Sequence, residues 1–158
     1  MEKSMDNEDG IYTSGTHDTA SKRIDALAMT RSDRVSVFSD FLKQEGYFPS
    51  IDDDGDIKLK IEGKTYYVVF EEEDELYVKI IRPGFWSIDD SEERMRAERA
   101  ARTATAKTKV AKVILVKDNT WASASVFSSS MENAKSIFSR LVSALQRAVQ
   151  TFVEEMEE

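Results

Sequence analysis

The chain has 158 residues, 41% of them apolar and 33% charged, which is typical of one globular domain with a modest core. Thirty acidic against 22 basic side chains give a formal net charge of -8. That charge argues against nucleic acids and anionic membranes as partners, because both are bound chiefly through lysine and arginine. Cysteine is absent and histidine occurs once, so disulfides are excluded and zinc or iron sites lose their usual ligands. With neither a run of ~20 apolar residues nor a signal peptide, the chain is expected to be cytoplasmic and free of metals and other cofactors.

The first 30 residues are expected to form a flexible polar tail. They show no sustained apolar period, so they cannot bury enough surface to offset the entropy cost of ordering. Only residues 24–29 have a weak helical spacing. The single histidine, His17, falls in this tail, where it would lack the rigid frame that a catalytic histidine needs. We therefore expect one folded domain over residues 31–158.

The first half of this domain predicts one helix followed by three strands. Ser32 can cap a helix whose apolar residues share one face, and Gly46 is a typical residue to end it. Strands are predicted over Ile57–Ile61, Lys64–Phe70 and residues 76–80, where apolar residues alternate with polar ones or are β-branched and aromatic. The short connections between these strands predict antiparallel pairing.

The second half predicts a helix, two strands and a long helix. Asp90 and Glu93 have the spacing of a capping box, and segments 110–116 and 120–126 form a predicted hairpin. The last helix is strongly amphipathic, and Ser129 is its predicted cap. The predicted fold class is therefore α+β, in the order α-β-β-β-α-β-β-α, with the helices packed on a five-stranded antiparallel sheet.

The acidic stretch from Asp52 to Asp56 is similar in composition to a calcium-binding loop. An EF-hand needs a strong first ligand, a glycine at position 6 and a bidentate glutamate at position 12. With Gly55 at position 6, the first and last positions hold Ser50 and Ile61, and the latter belongs to a predicted strand. We therefore interpret the stretch as an acidic turn that leads into that strand.

Apolar residues on both faces of the predicted strands point to a second surface that needs a cover. If Tyr66 faces the helices, Tyr67 and Val69 face away from them. Phe85 and Trp86 follow a Pro-Gly turn, either as a lid over the core or as an exposed pair. A sheet that is apolar on both faces needs a second layer. Either the second helix or an intermolecular partner, a second copy or a bound segment, would supply it.

A basic stretch over residues 94–112 is another candidate surface. Its arginines either pair with neighbouring glutamates along a solvated helix or dock an acidic partner. The candidate partner-binding residues are Tyr67, Val69, Phe85, Trp86, Arg94 and Arg99.

Several segments resemble the YbjN-like family. They are Glu45-Gly46-Tyr47, Gly55-Asp56-Ile57 and Gly63-Lys64-Thr65-Tyr66-Tyr67, together with the hairpin and the final helix, and the similarity spans residues 32–153. The resemblance implies a fold like that of the class I type III secretion chaperones and no established enzymatic activity. One name attached to that family is bacterial sensory transduction regulator, a label that specifies no mechanism.

The residues themselves give no sign of catalysis. The serines near residue 125 have no histidine in the domain to activate them, and no phosphate-binding glycine loop is present. We therefore expect a non-catalytic, chaperone-like or adaptor module that holds a segment of a partner protein. The alternative is a homodimeric regulatory domain. Nucleic acid, membrane and metal are not expected to bind.

Overall fold

The computed structural model describes residues 28–158, and it confirms an α+β fold with one antiparallel sheet and three helices. The predicted tail up to residue 27, including His17, lies outside the described residues. The elements in chain order are α1 (Arg31–Gln44), β1 (Ser50–Ile51), β2 (Ile57–Ile61), β3 (Lys64–Phe70), β4 (Tyr77–Ser87), α2 (Ser91–Lys107), β5 (Ala111–Val116), β6 (Asn119–Phe127) and α3 (Met131–Glu157).

The sheet has six strands, so the prediction of five strands and of their order along the chain was wrong. The additional strand is β1, whose Ser50 and Ile51 pair with Lys58 and Ile57 of β2. Two residues are too few to show an alternation, and their pairing depends on the turn at residues 52–56, which reverses the chain. In space the strands are ordered β1-β2-β3-β4-β6-β5, and each neighbouring pair is antiparallel.

Helix caps were predicted correctly for one helix and missed for two. Asp90 caps α2 as expected, whereas Thr30 rather than Ser32 caps α1, and Ser130 rather than Ser129 caps α3. Serine and threonine are comparable caps, and the chosen residue is the one with extended backbone before the first helical turn. A sequence that offers several hydroxyl residues together cannot distinguish among them.

All three helices pack on the same face of the sheet. Helix α3 contacts β4, β5 and β6, and α1 and α2 lie on either side of it. Helix α2 rests on α3 and β5 through buried alanines, whose small side chains allow a close approach: Ala97, Ala100, Ala101 and Ala104. The second helix therefore adds to the helical layer and does not cover the other face of the sheet.

The core between sheet and helices is centred on aromatic side chains. Phe38 of α1 is fully buried, and its ring meets those of Phe70 and Phe138 edge-on at centroid distances of 5.4 and 5.6 Å. These contacts join α1, β3 and α3 at one point. No helix in residues 28–158 is long and apolar enough to cross a lipid bilayer.

Two arginines fix the start of α1 at one end of the sheet. Arg31 Nε donates to the carbonyl oxygen of Phe70 at 2.6 Å, and Arg34 donates to that of Glu71 at 2.7 Å. Arg34 is almost fully buried. The amino end of α1 is therefore held where β3 ends and the acidic loop before β4 begins.

Candidate protein-binding surface

The face of the sheet opposite the helices is the candidate site. No helix within the described residues packs on it, and we call it the open face. Its side chains are Lys58 and Lys60 of β2, Tyr67 and Val69 of β3, Tyr77, Lys79 and Ile81 of β4, Lys112, Ile114 and Val116 of β5, and Trp121, Ser123, Ser125 and Phe127 of β6. Their position on this face follows from the period of two along each strand, since the intervening residues face the helices.

One continuous row of the open face crosses five strands. The register places Lys58 beside Tyr67, Tyr67 beside Ile81, Ile81 beside Ser123, and Ser123 beside Lys112. A tyrosine and an isoleucine therefore lie between two terminal lysines. Directly opposed residues on one face of an antiparallel pair are in contact, so the side chains of this row form one continuous surface.

Aromatic side chains stand at both ends of β6 on this face. Phe127 is 73% exposed and lies 5.6 Å from the ring of Tyr77, while Trp121 is 36% exposed opposite Ile114, which is 47% exposed. Only Ser123 and Ser125 lie between Trp121 and Phe127 on this side of β6. Two short side chains therefore separate the two bulky ones along the middle of β6.

The charges of the open face are all positive. Its strand positions carry Lys58, Lys60, Lys79 and Lys112, and none of the strand positions facing this side carries a carboxylate. The whole chain has a net charge of -8, so this basic face is opposite in charge to the chain as a whole. Its potential favours an approaching acidic group.

The structure separates the predicted site residues into two groups. Tyr67 and Val69 lie on the open face, as the alternation predicted, and both are half-buried. Phe85 and Trp86 do not: their rings pack on Phe152 of α3 at centroid distances of 5.2 and 5.8 Å. Of the two alternatives, a lid over the core or an exposed pair, the structure shows the lid, so their place among the candidate partner-binding residues is corrected.

An irregularity in β4 explains this correction. The pairing of β4 with β6 shifts register between Arg82 and Trp86, which interrupts the alternation and turns both aromatic rings toward the helices. Trp86 Nε1 then donates to Glu93 Oε1 at 2.9 Å. The backbone N–H of Asp89 and this indole both donate to Glu93, and they lower the pKa of its carboxyl group.

The two predicted arginines belong to the helical side of the molecule. Arg94 donates to Asp118 Oδ1 at 2.7 Å and to the carbonyl oxygen of Lys117, so it ties the start of α2 to the turn between β5 and β6. Arg99 is exposed and lines a depression with Glu155 and Glu158. Neither arginine lies beside Tyr67 and Val69.

The acidic stretch before β2 forms a turn in which two carboxylates, those of Asp52 and Asp56, have partners within the chain. Asp52 Oδ1 accepts from the backbone N–H groups of Asp54 and Asp56, and Asp56 forms an ion pair with Arg31 at 2.8 Å. Across residues 28–158, no group of three or more histidine, cysteine, aspartate or glutamate side chains is placed to hold a metal ion.

Asp56 leads to a prediction about pH. Burial, followed by the charge of Asp52, raises the pKa of Asp56 above 3.8, and the hydrogen bond and charge of Arg31 oppose this only in part. A raised pKa in the folded state stabilises the fold below the unfolded pKa, and that contribution is lost as the pH rises through the folded pKa. Compared with the natural protein, Asp56→Asn should therefore become relatively more stable as the pH rises from about 3 to 7.

Urea denaturation across this pH range measures the effect. Asp53→Asn, at an exposed position of the same turn, is the matched control and should follow the natural protein more closely. If Asp56→Asn lost more stability near neutral pH than in acid, the attraction of Arg31 would outweigh the cost of burying the carboxylate.

Sequence reasoning missed most of the open face. Ile81, Trp121 and Phe127 were not singled out, nor were the lysines on β2 and β4, and Lys112 was included only as part of the basic stretch. The alternation of Trp121, Ser123, Ser125 and Phe127 along β6 is visible in the sequence. Whether these residues join others in one surface depends on which strands are neighbours in the sheet. The pattern of a single strand does not show that.

Comparisons with known proteins add little to this description. No protein-family model and no curated protein matches the chain. The crystal structure of an uncharacterized protein from Methanothermobacter thermautotrophicus is similar, with a TM-score of 0.49 and 12% sequence identity, covering 78% of this chain and 94% of that chain. A similarity at this level identifies neither a family nor a function. The resemblance to the YbjN-like family stays a prediction.

Proposed function

We propose that this chain is a non-catalytic protein-binding module, chaperone-like or adaptor in kind, whose open face holds a segment of a partner protein. The observation that carries the proposal is the row Lys58-Tyr67-Ile81-Ser123-Lys112, which combines apolar and basic groups on an uncovered sheet. An uncovered apolar sheet face is typical of a surface that acquires its second layer by binding.

The proposed partner is an acidic segment that also carries apolar side chains. Tyrosine and tryptophan supply much of the binding energy in protein interfaces, and Tyr67 and Trp121 provide both on the open face. The four lysines would orient such a segment and accelerate its association. A nucleic acid is disfavoured, because the net charge is -8 and aliphatic residues such as Ile81 and Ile114 separate the aromatic rings.

The alternative, a homodimeric regulatory domain, is less favoured on this face. A twofold pairing uses the same patch on both copies. Two open faces in contact would bring eight lysines together without a carboxylate from the strands of either copy, and like charges across an interface are unfavourable.

Family and location belong to the same proposal. We propose that the chain is a YbjN-like protein of the cytoplasm with a fold related to that of the class I type III secretion chaperones. The order of helix, strand meander, helix, hairpin and helix supports this proposal, together with the motifs around Gly46, Gly55 and Gly63. Such a fold would suit binding rather than catalysis, although a fold alone does not define a function.

The test compares two tagged variants of the full chain. Tyr67→Asp places a charge in the middle of the open face, whereas Met95→Asp places one on α2 at a position that is 61% exposed. Partners captured from native cells by the natural protein are identified, purified and mixed with each variant, and light scattering gives the stoichiometry. We expect a complex with a defined stoichiometry that Met95→Asp retains and Tyr67→Asp loses.

Three outcomes would contradict the proposal. Equal binding by both variants would place the partner on another surface. A symmetric homodimer that Tyr67→Asp dissociates, with no other protein bound, would favour the regulatory alternative. Displacement of the partner by a single-stranded oligonucleotide would indicate that the open face is a nucleic-acid site.

A further inference from the structure

The described part of the chain begins near one end of the sheet, where β4 starts and β6 finishes. Met29 lines a depression together with Leu76 and Ser128. These last two residues directly adjoin Tyr77 and Phe127, whose rings lie on the open face at that end of the sheet. The first described residues therefore lie close to the surface that lacks a cover.

Residues 1–27 are long enough to lie across this surface. An extended chain spans about 3.3 Å per residue, so 27 residues reach as far as about 90 Å. Six strands spaced about 4.8 Å apart form a sheet only about 25 Å wide. Half of the segment would suffice to cross from Tyr77 on β4 to either edge of the sheet, β5 on one side or β1 on the other.

The chemistry of this segment complements that of the open face. Residues 1–27 contain six acidic and three basic side chains, and four of the acids fall within the first nine residues. Ile11 and Tyr12 follow them after Gly10. An acidic run next to two apolar residues is the kind of segment that a face of lysines, tyrosines and isoleucine would accept.

We infer that residues 1–12 of the chain itself dock on the open face and compete there with a partner protein. The second part of this inference, competition with a partner protein, rests on the proposed function. The tether makes the contact intramolecular, so the effective concentration of the segment is in the millimolar range even when its intrinsic affinity is weak. A partner must displace the segment, which makes the site selective for segments that bind more tightly.

Chemical crosslinking of the full chain tests the location of the segment. A carbodiimide joins carboxylates directly to amines, and we expect bonds from Glu2, Asp6, Glu8 and Asp9 to lysines of the open face, above all Lys79 and Lys112. Isotope-labelled and unlabelled protein are mixed, and each bond should join groups of the same label. Equal crosslinking to Lys43 and Lys109, which lie off the face, would overturn the inference, as would bonds between differently labelled copies.

Tryptophan fluorescence gives a second readout in solution. In a Trp86→Phe background, Trp121 on the open face is the only tryptophan. The changes Glu2→Gln, Asp6→Asn, Glu8→Gln and Asp9→Asn remove four charges, and an exposed ion pair is worth roughly a factor of two, so the docked state should weaken roughly tenfold. Acrylamide should then quench Trp121 more strongly than in the parent protein.

A matched control removes four exposed carboxylates from elsewhere in the chain. Changing Glu92, Glu98, Glu157 and Glu158 to glutamine alters the net charge equally and should leave the quenching of Trp121 unchanged. Equal quenching in the parent, the tail variant and the control would overturn the inference.

The results also separate this inference from the proposed function. If the segment fails to crosslink to the open face while Tyr67→Asp still loses its partner, the inference is wrong and the proposed function stands. If the segment crosslinks there while Tyr67→Asp retains its partner, the open face is an internal docking site and the proposed function is wrong.

Discussion

Trp86→Ala is expected to lower the free energy of unfolding by about 3 kcal/mol, at the lower end of the range for buried aromatic residues, because Trp86 is partly buried against the core. The indole packs on Phe152 of α3 with a centroid distance of 5.8 Å and donates to Glu93 Oε1 at 2.9 Å. Alanine would leave a cavity beside Phe152 and remove a donor that helps to hold the start of α2. Urea or guanidinium denaturation at neutral pH measures this loss.

The other tryptophan supplies a matched comparison for the same substitution. Trp121 lies on the open face, and Trp121→Ala should change the free energy of unfolding by less than about 1 kcal/mol, as is usual away from the core. Trp121→Ala should instead weaken the binding of a partner to the open face. If Trp121→Ala destabilised the protein as much as Trp86→Ala, Trp121 would belong to the folded core rather than to a surface available to a partner or to residues 1–12.

Neutralising the lysines of the open face should weaken the complex with an acidic partner roughly tenfold at low salt, since four exposed charge pairs contribute about a factor of two each. The lysines to be changed to glutamine are Lys58, Lys60, Lys79 and Lys112. High salt should remove most of the difference, because exposed charges are screened within a few ångströms at molar ionic strength. Titration calorimetry at two salt concentrations measures both effects.

The control for this prediction neutralises four lysines outside the open face. Changing Lys43, Lys64, Lys109 and Lys117 to glutamine removes the same number of positive charges, so net charge alone cannot distinguish the two proteins. Both sets of lysine changes are made in a protein in which Glu2, Asp6, Glu8 and Asp9 are already neutralised. Competition by the amino-terminal segment is then equal in the two variants. The same loss of affinity in both sets would show that the position of the lysines is irrelevant.

Local patterns in the sequence determined most of the elements and the orientation of their side chains. The alternation along β3 placed Tyr67 and Val69 on the face away from the helices, because successive side chains of a strand point to opposite sides. The spacing of Asp90 and Glu93 located the start of α2, since a cap acts within one helical turn. The fold class followed from the order of these elements.

Only the tertiary structure decided how these elements combine into a surface. The register shift in β4 turned Phe85 and Trp86 toward the core, and the packing of α2 beside α3 left one face of the sheet open. The row from Lys58 to Lys112 joins residues of five strands, two of which are neighbours in space but far apart along the chain. Alternation along a strand specifies the side of the sheet to which each side chain points. Strand order and register are set by pairing between distant segments, and that pairing brings residues scattered along the chain into one surface.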